Sequence, residues 1–125
     1  RMRQYASVVL EAKNINYTFH FPDDTLDYHL KMELKNNLYL IFKEAVNNLS
    51  KYSEATHAEF SLRLDEKQIY VVIEDNGKGF DEHKIVHKGG LINMRSRTAE
   101  LKGNIDIRSI EDHGTRIEVT VPNLH

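Results

Sequence analysis

The pattern of apolar residues predicts an α+β fold, a two-layer α/β sandwich whose helices cover one face of a mostly antiparallel sheet. Two observations carry this. Segments of helical periodicity and segments of strict alternation follow one another in the order αβα-ββ-loop-α-ββ. The four later strands come as two adjacent pairs, each joined by a short polar turn, as antiparallel hairpins require. A length of 125 residues then suits one domain spanning 1–125, with enough chain for a sizeable core.

Each element has its own signal. Met2, Tyr5, Ala6, Val9 and Leu10 recur at helical spacing, so Arg1 to about Lys13 is predicted helical, with Asn14 ending it. Ile15, Tyr17, Phe19 and Phe21 alternate with Asn16, Thr18 and His20, a strand with one buried face. Pro22-Asp23-Asp24-Thr25 reads as a turn. From about Leu30 to Ser50, Leu38, Ile41, Phe42, Ala45 and Leu49 line one side of the longest helix. Phe60, Leu62 and Leu64 alternate with polar residues, and after the turn Asp65-Glu66-Lys67-Gln68 so do Ile69, Val71 and Ile73. Asp75 to Gly90 holds four of the six glycines and little periodicity, so it reads as loop with room for one short helix. Leu91, Met94, Thr98 and Leu101 mark a third helix, closed by Lys102 and Gly103. Ile105 and Ile107, a turn at Glu111-Asp112-His113-Gly114, and Ile117, Val119 and Val121 complete a last hairpin ending at Pro122.

Composition narrows the function classes. Hydrophobic residues make up 40% and charged residues 29%, ordinary for a globular protein, and the net charge is −2. Lysines and arginines are scattered, so a nucleic-acid surface is not expected. The absence of cysteine excludes disulfides and thiolate metal sites. No apolar run approaches the roughly 18 residues of a membrane span, so no direct membrane contact is expected of this segment. The opening Arg1-Met2-Arg3 already lies inside an amphipathic pattern, which suggests a piece of a longer chain.

Three stretches could carry chemistry. Glu44, Asn48 and Lys51 fall on one helix face as a polar stripe roughly opposite the apolar one. That fits a solvated surface, but Asn47-Asn48 mid-helix is a poor choice on propensity, and an amide oxygen suits a hard Mg²⁺ that keeps waters and contacts phosphates. Glu44, one turn earlier, could orient or deprotonate a nucleophile. Next, Asp75-Asn76-Gly77 could be a hairpin turn, yet no alternating strand follows it. The other reading is a strand-end carboxylate, followed by glycines that let a flat ligand approach the backbone. Asp75 would accept from an exocyclic amine such as adenine's, a bond worth about 1.5–3 kcal/mol that would disfavour guanine. Last, Gly89-Gly90-Leu91 enters a helix whose free N–H groups could meet an anion, though Gly-Gly before a helix is also common loop chemistry. There is no P-loop, no complete dinucleotide fingerprint and no H-x-x-x-H pair on a helix; His83 and His87 lie in the loop region.

Together these residues resemble a known family. Glu44-x-x-x-Asn48-x-x-Lys51-Tyr52 resembles the N box of bacterial sensor histidine kinases, and Asp75-x-Gly77-x-Gly79 their G1 box. Gly89-Gly90-Leu91-x-x-Met94-x-x-Arg97, with Gly114-Thr115 and the strand to Pro122, resembles their G2 region. Order and spacing match over nearly the whole chain. The short gap from Gly79 to Gly90 is similar to the abbreviated ATP lid of a subfamily, and the N-terminal stretch looks like sensor kinases of Bacteroidetes type.

The resemblance implies the Bergerat ATP-binding sandwich, with ATP and Mg²⁺ as ligands. By it, Asp75 binds the adenine amine, Asn48 ligates Mg²⁺, and Glu44 is the catalytic residue that polarises water or the acceptor. Lys51 reaches phosphate and Thr115 sits beside the adenine. Gly77, Gly79 and Gly90 shape the pocket and lid, and Tyr52, Lys88, Gly89 and Leu91 complete its nucleotide contacts. Tyr52 stands where many members carry His, Lys88 where a glycine is usual, and no F box is evident. The implied activity is transfer of the γ-phosphoryl group to a histidine on a separate dimerisation domain, then to a response regulator, with catalysis mainly by positioning and charge neutralisation. The parent is expected to be a homodimer anchored in the inner membrane, with this domain cytoplasmic. The alternatives are an anti-sigma-factor serine kinase or other ATPase of the same fold, and a non-catalytic nucleotide-binding module.

Overall fold

The structure, a computed structural model, describes residues 2–21, 31–52, 54–78, 89–110 and 112–123. Its elements are α1 (Met2–Ala12), β1 (Asn16–His20), α2 (Met32–Tyr52), β2 (His57–Leu64), β3 (Gln68–Asp75), α3 (Gly89–Glu100), β4 (Asn104–Ile110) and β5 (Gly114–Pro122). They form the α+β sandwich expected. One five-stranded sheet has the order β1-β2-β3-β5-β4. The β2–β3, β3–β5 and β4–β5 pairs are antiparallel, while β1 runs parallel to β2. Alternation within β1 could not reveal that direction. The long helix α2 between β1 and β2 supplies the crossover connection that a parallel pair needs.

One face of the sheet is dry. Phe60, Leu62, Ile69, Val71, Ile73, Val119 and Val121 are buried beneath Leu38, Ile41, Phe42, Ala45, Val46 and Leu49 of α2. Phe42 and Phe60 are joined ring to ring at 5.3 Å, and Phe19 stacks on Phe60 at 5.1 Å, so the β1 edge is tied to the centre. The opposite face is charged. Arg116 there donates to Glu74 at 3.0 Å and Glu118 at 2.7 Å, and Arg63 lies 4.3 Å over the ring of Tyr70.

The helix ends explain themselves. Asn14 takes a left-handed conformation (φ 58°), and the next amide, of Ile15, closes on the Leu10 carbonyl at 2.9 Å. At the end of α3 the left-handed residue is Lys102 (φ 59°), and the Gly103 amide bonds the Thr98 carbonyl at 3.0 Å. Glycine is needed at 103 for another reason: a Cβ there would collide with the Thr120 carbonyl and the Val121 side chain. Thr98, fully buried, satisfies its hydroxyl on the Met94 carbonyl at 2.7 Å. The β2–β3 turn is held by Asp65, whose carboxylate accepts from the amides of Gln68 at 2.7 Å and Lys67 at 2.8 Å. Those bonds hold its pKa below the ordinary carboxylate value.

Candidate functional site

The polar stripe of α2 is closer to the core than its sequence pattern suggests. It borders the apolar face rather than opposing it. Glu44 lies three residues after buried Ile41, and Asn48 three after buried Ala45, so both are half-buried, and only Lys51 is fully exposed. The two adjacent asparagines part company. Asn47 accepts from the Tyr5 hydroxyl at 2.5 Å, and on the same side Lys43 lies 5.1 Å over the Tyr5 ring. Asn47 is thus committed to holding α1 on α2. Among the described residues, Asn48 and Glu44 have no side-chain hydrogen bond or ion pair, which leaves an amide oxygen and a carboxylate one helical turn apart for an outside ligand.

Asp75 is the last residue of β3, paired with Ala58 of β2 on one side and Thr115 of β5 on the other. It shares strand parity with buried Ile69, Val71 and Ile73, so its side chain belongs to the helix-covered face. No hairpin strand follows directly, since β3 pairs onward with β5. The carboxylate oxygen Oδ1 accepts from the Gly77 amide at 2.8 Å. Burial raises its pKa above the ordinary carboxylate value, and the backbone N–H groups of Gly77 and Thr115 oppose that shift only in part. A half-buried, under-solvated carboxylate, with about four lone-pair sites for those two amides, is suited to accept from a ligand donor as well.

The backbone around Asp75 is tightly fitted. Gly114 has φ 89°, and any Cβ on it would strike the Asp75 carbonyl. Thr115 directs its hydroxyl to that of Ser109, 2.8 Å away. The amide of Asp112, in the β4–β5 turn, donates to the Lys78 carbonyl. A shallow cleft of about 230 Å³ opens here, lined by Glu74, Asp75, Arg108, His113, Thr115 and Arg116. Asn76, which carried no role in the sequence reading beyond the turn, makes four hydrogen bonds to Thr56 and His57.

Other expected contacts are placed only partly. Gly77 is buried, and Leu91 is half-buried against the core. Gly89 and Gly90 form the first turn of α3 rather than a loop ahead of it. Gly79, Lys88 and the side chain of Tyr52 lie outside the described residues, as do His83 and His87. Among the described residues, no group of three or more His, Asp or Glu side chains could hold a metal.

Residues 33–125 match the family described as histidine kinase-, DNA gyrase B-, and HSP90-like ATPase. The chain belongs to that family. The match begins at the start of α2 and spans both the Glu44–Asn48 stripe and Asp75. The chain is 35% identical over 127 residues to the sensor histidine kinase YdfH of Bacillus subtilis, covering 91% of this chain and 31% of that protein. It is 35% identical over 100 residues to the sensor protein VraS of Staphylococcus haemolyticus, covering 79% of this chain and 29% of that one. The chain thus spans about a third of the length of these relatives. Among solved structures, the blue-light activated histidine kinase of Erythrobacter litoralis superposes with a TM-score of 0.82 at 17% identity, covering 98% of this chain and 40% of that one. That likeness bears on the fold. The named relatives are sensor kinases, which supports a histidine-kinase-type ATP-binding domain over an anti-sigma-factor kinase.

Proposed function

We propose that this chain is the Mg·ATP-binding part of a two-component sensor histidine kinase. It would present the γ-phosphoryl group to a histidine on a separate dimerisation domain, from which the group passes to a response regulator. The observation that carries the reading is Asp75: a half-buried carboxylate on the helix-covered face, held at Oδ1 by the Gly77 amide, with acceptor capacity remaining for the adenine amine.

The connectivity supports a single pocket. Asn48 stands one turn before the end of α2, and the short connection to β2 is bonded to Asn76, the residue after Asp75. The metal side and the adenine side therefore sit at the same end of the molecule. Gly103, against Thr120 and Val121, pins the last turn of α3 at the other end of the sheet. That leaves Gly89 and Gly90 to head α3 toward the nucleotide, where their free N–H groups face phosphate.

The residues fit Mg²⁺ because Asn48 offers a half-buried neutral oxygen without a described partner, and Mg²⁺ takes few protein ligands. Bound there, it would neutralise phosphate charge. Glu44 would orient the acceptor or take its proton, Lys51 would reach phosphate from the last turn of α2, and Thr115 would line the base beside Asp75. Gly77 would let the chain pass close to the base and Leu91 would add a contact; Gly79, Lys88 and Tyr52, which the family resemblance adds to the nucleotide contacts, are assigned by that resemblance alone. Among the described residues no helix is long and apolar enough to cross a membrane.

The test is transfer of label. Incubated alone with γ-labelled ATP, this chain should stay unlabelled, and it should label an added dimerisation domain carrying the acceptor histidine. Stoichiometric label on one of its own seven histidines would overturn the division of labour.

A further inference from the structure

Asn76 is exposed, yet its side chain is engaged at both its oxygen and its nitrogen. Its Oδ1 accepts from the amides of Thr56 at 3.0 Å and His57 at 2.9 Å, and its Nδ2 donates to the Thr56 hydroxyl at 2.9 Å. Its own amide donates to the His57 carbonyl at 3.2 Å. All four bonds go to the two residues that enter β2. An exposed asparagine ordinarily bonds water and keeps its rotamer freedom, so three side-chain bonds to one segment mark a fixed joint.

The joint sits where β3 would otherwise fray. Asp75 is the last strand residue, paired with Ala58 and Thr115, and the chain leaves the sheet immediately after it. Asn76 extends the β2 side of the ladder by one residue with a side-chain imitation of strand pairing. Asp75 is then bracketed: strands on either flank, Gly77 on its Oδ1, and Asn76 anchored behind it. Without that anchor, the Asp75–Gly77 turn could swing and carry the carboxylate with it.

From this we propose that Asn76 is a positioning residue: by tethering the glycine loop to Thr56 and His57, it fixes the Asp75 carboxylate for recognition of the base. The inference rests on the adenine reading of Asp75 above. It assigns base selectivity to a residue that makes no ligand contact.

Equilibrium binding of Mg·ATP and Mg·ITP separates the two claims, because ITP carries a 6-oxygen acceptor in place of the 6-amine donor, with N1–H in place of the N1 acceptor. The unaltered chain should prefer ATP by about tenfold or more, the loss of one charge-assisted bond. No preference in the unaltered chain would remove the adenine reading, and this inference with it. Given a preference, Asn76→Ala should cut the ATP/ITP ratio several-fold in folded protein, and Asn76→Asp, which keeps the acceptor for both amides, should retain most of it. If Asn76→Ala does not fold, Asn76→Ser carries the same prediction, since its shorter side chain cannot span both amides. An unchanged ratio in the Ala or Ser variant, even with a lowered melting temperature, makes Asn76 a structural stitch only and overturns the proposal. A loss in Asn76→Asp equal to that in Asn76→Ala does the same.

Discussion

Replacing Asp75 by Asn should move stability and binding in opposite directions. Burial is the leading influence on this carboxylate and raises its pKa, so the folded state holds the Asp75 proton more tightly than the unfolded state does. The sign follows from linkage. Its favourable contribution is fully present below the unfolded pKa, about 4, and is lost as pH rises through the higher folded value. At neutral pH the ionised carboxylate therefore opposes folding. The substituted amide is isosteric and can keep the Gly77 N–H on its oxygen, so Asp75→Asn should raise the melting temperature at pH 7, and the gain should vanish as pH falls through the carboxylate range. Binding should suffer. With the amide oxygen kept on Gly77, the amide nitrogen takes the place of the second carboxylate oxygen and meets the adenine amine donor to donor. Losing a bond of about 1.5–3 kcal/mol corresponds to roughly 10–150-fold weaker ATP binding. The same change should favour ITP, whose 6-oxygen accepts. Thermal melts across pH, with calorimetric titrations of both nucleotides, read all three effects. A variant less stable than the parent at pH 7, or one binding ATP undiminished, would refute the reasoning.

Two further predictions concern the frame around that carboxylate. Gly114→Ala places a side chain at φ 89° against the Asp75 carbonyl. It should cost roughly 2–4 kcal/mol in urea unfolding, about half from the left-handed conformation and the rest from parting β3 and β5; a loss under about 0.5 kcal/mol would show that the turn can yield. Phe42→Ala removes a fully buried ring from the contact between α2 and the sheet, at a cost of about 3–5 kcal/mol in the same assay.

The fold was legible where the signal was periodic. Alternation in β2, β3 and β5 and the apolar stripe of α2 placed those elements within a few residues, because one buried face repeats along each. The parallel direction of β1 was not legible, since alternation is the same for either direction. The left-handed Lys102 was hidden behind Gly103, whose need for close approach to Thr120 and Val121 exists only once α3 has packed. Within the site, Glu44, Asn48 and Asp75 could be picked by residue type and spacing. What separates Asn47 from Asn48 could not, because it depends on Tyr5, 42 residues away. The role of Asn76 depends on partners 19 and 20 residues upstream. A local reading sees only a turn-forming Asn-Gly.

The central claim is that the α2 stripe and the β3 carboxylate face one nucleotide. Calorimetric titration of the chain with ATP, with and without Mg²⁺, tests it most directly in the unaltered protein, Asn48→Ala and Asp75→Ala. The account predicts a single site that Mg²⁺ strengthens, with Asn48→Ala abolishing the Mg²⁺ effect and Asp75→Ala weakening binding in either condition. Equal Mg²⁺ dependence in Asn48→Ala, or ATP binding indifferent to Asp75→Ala, would contradict it.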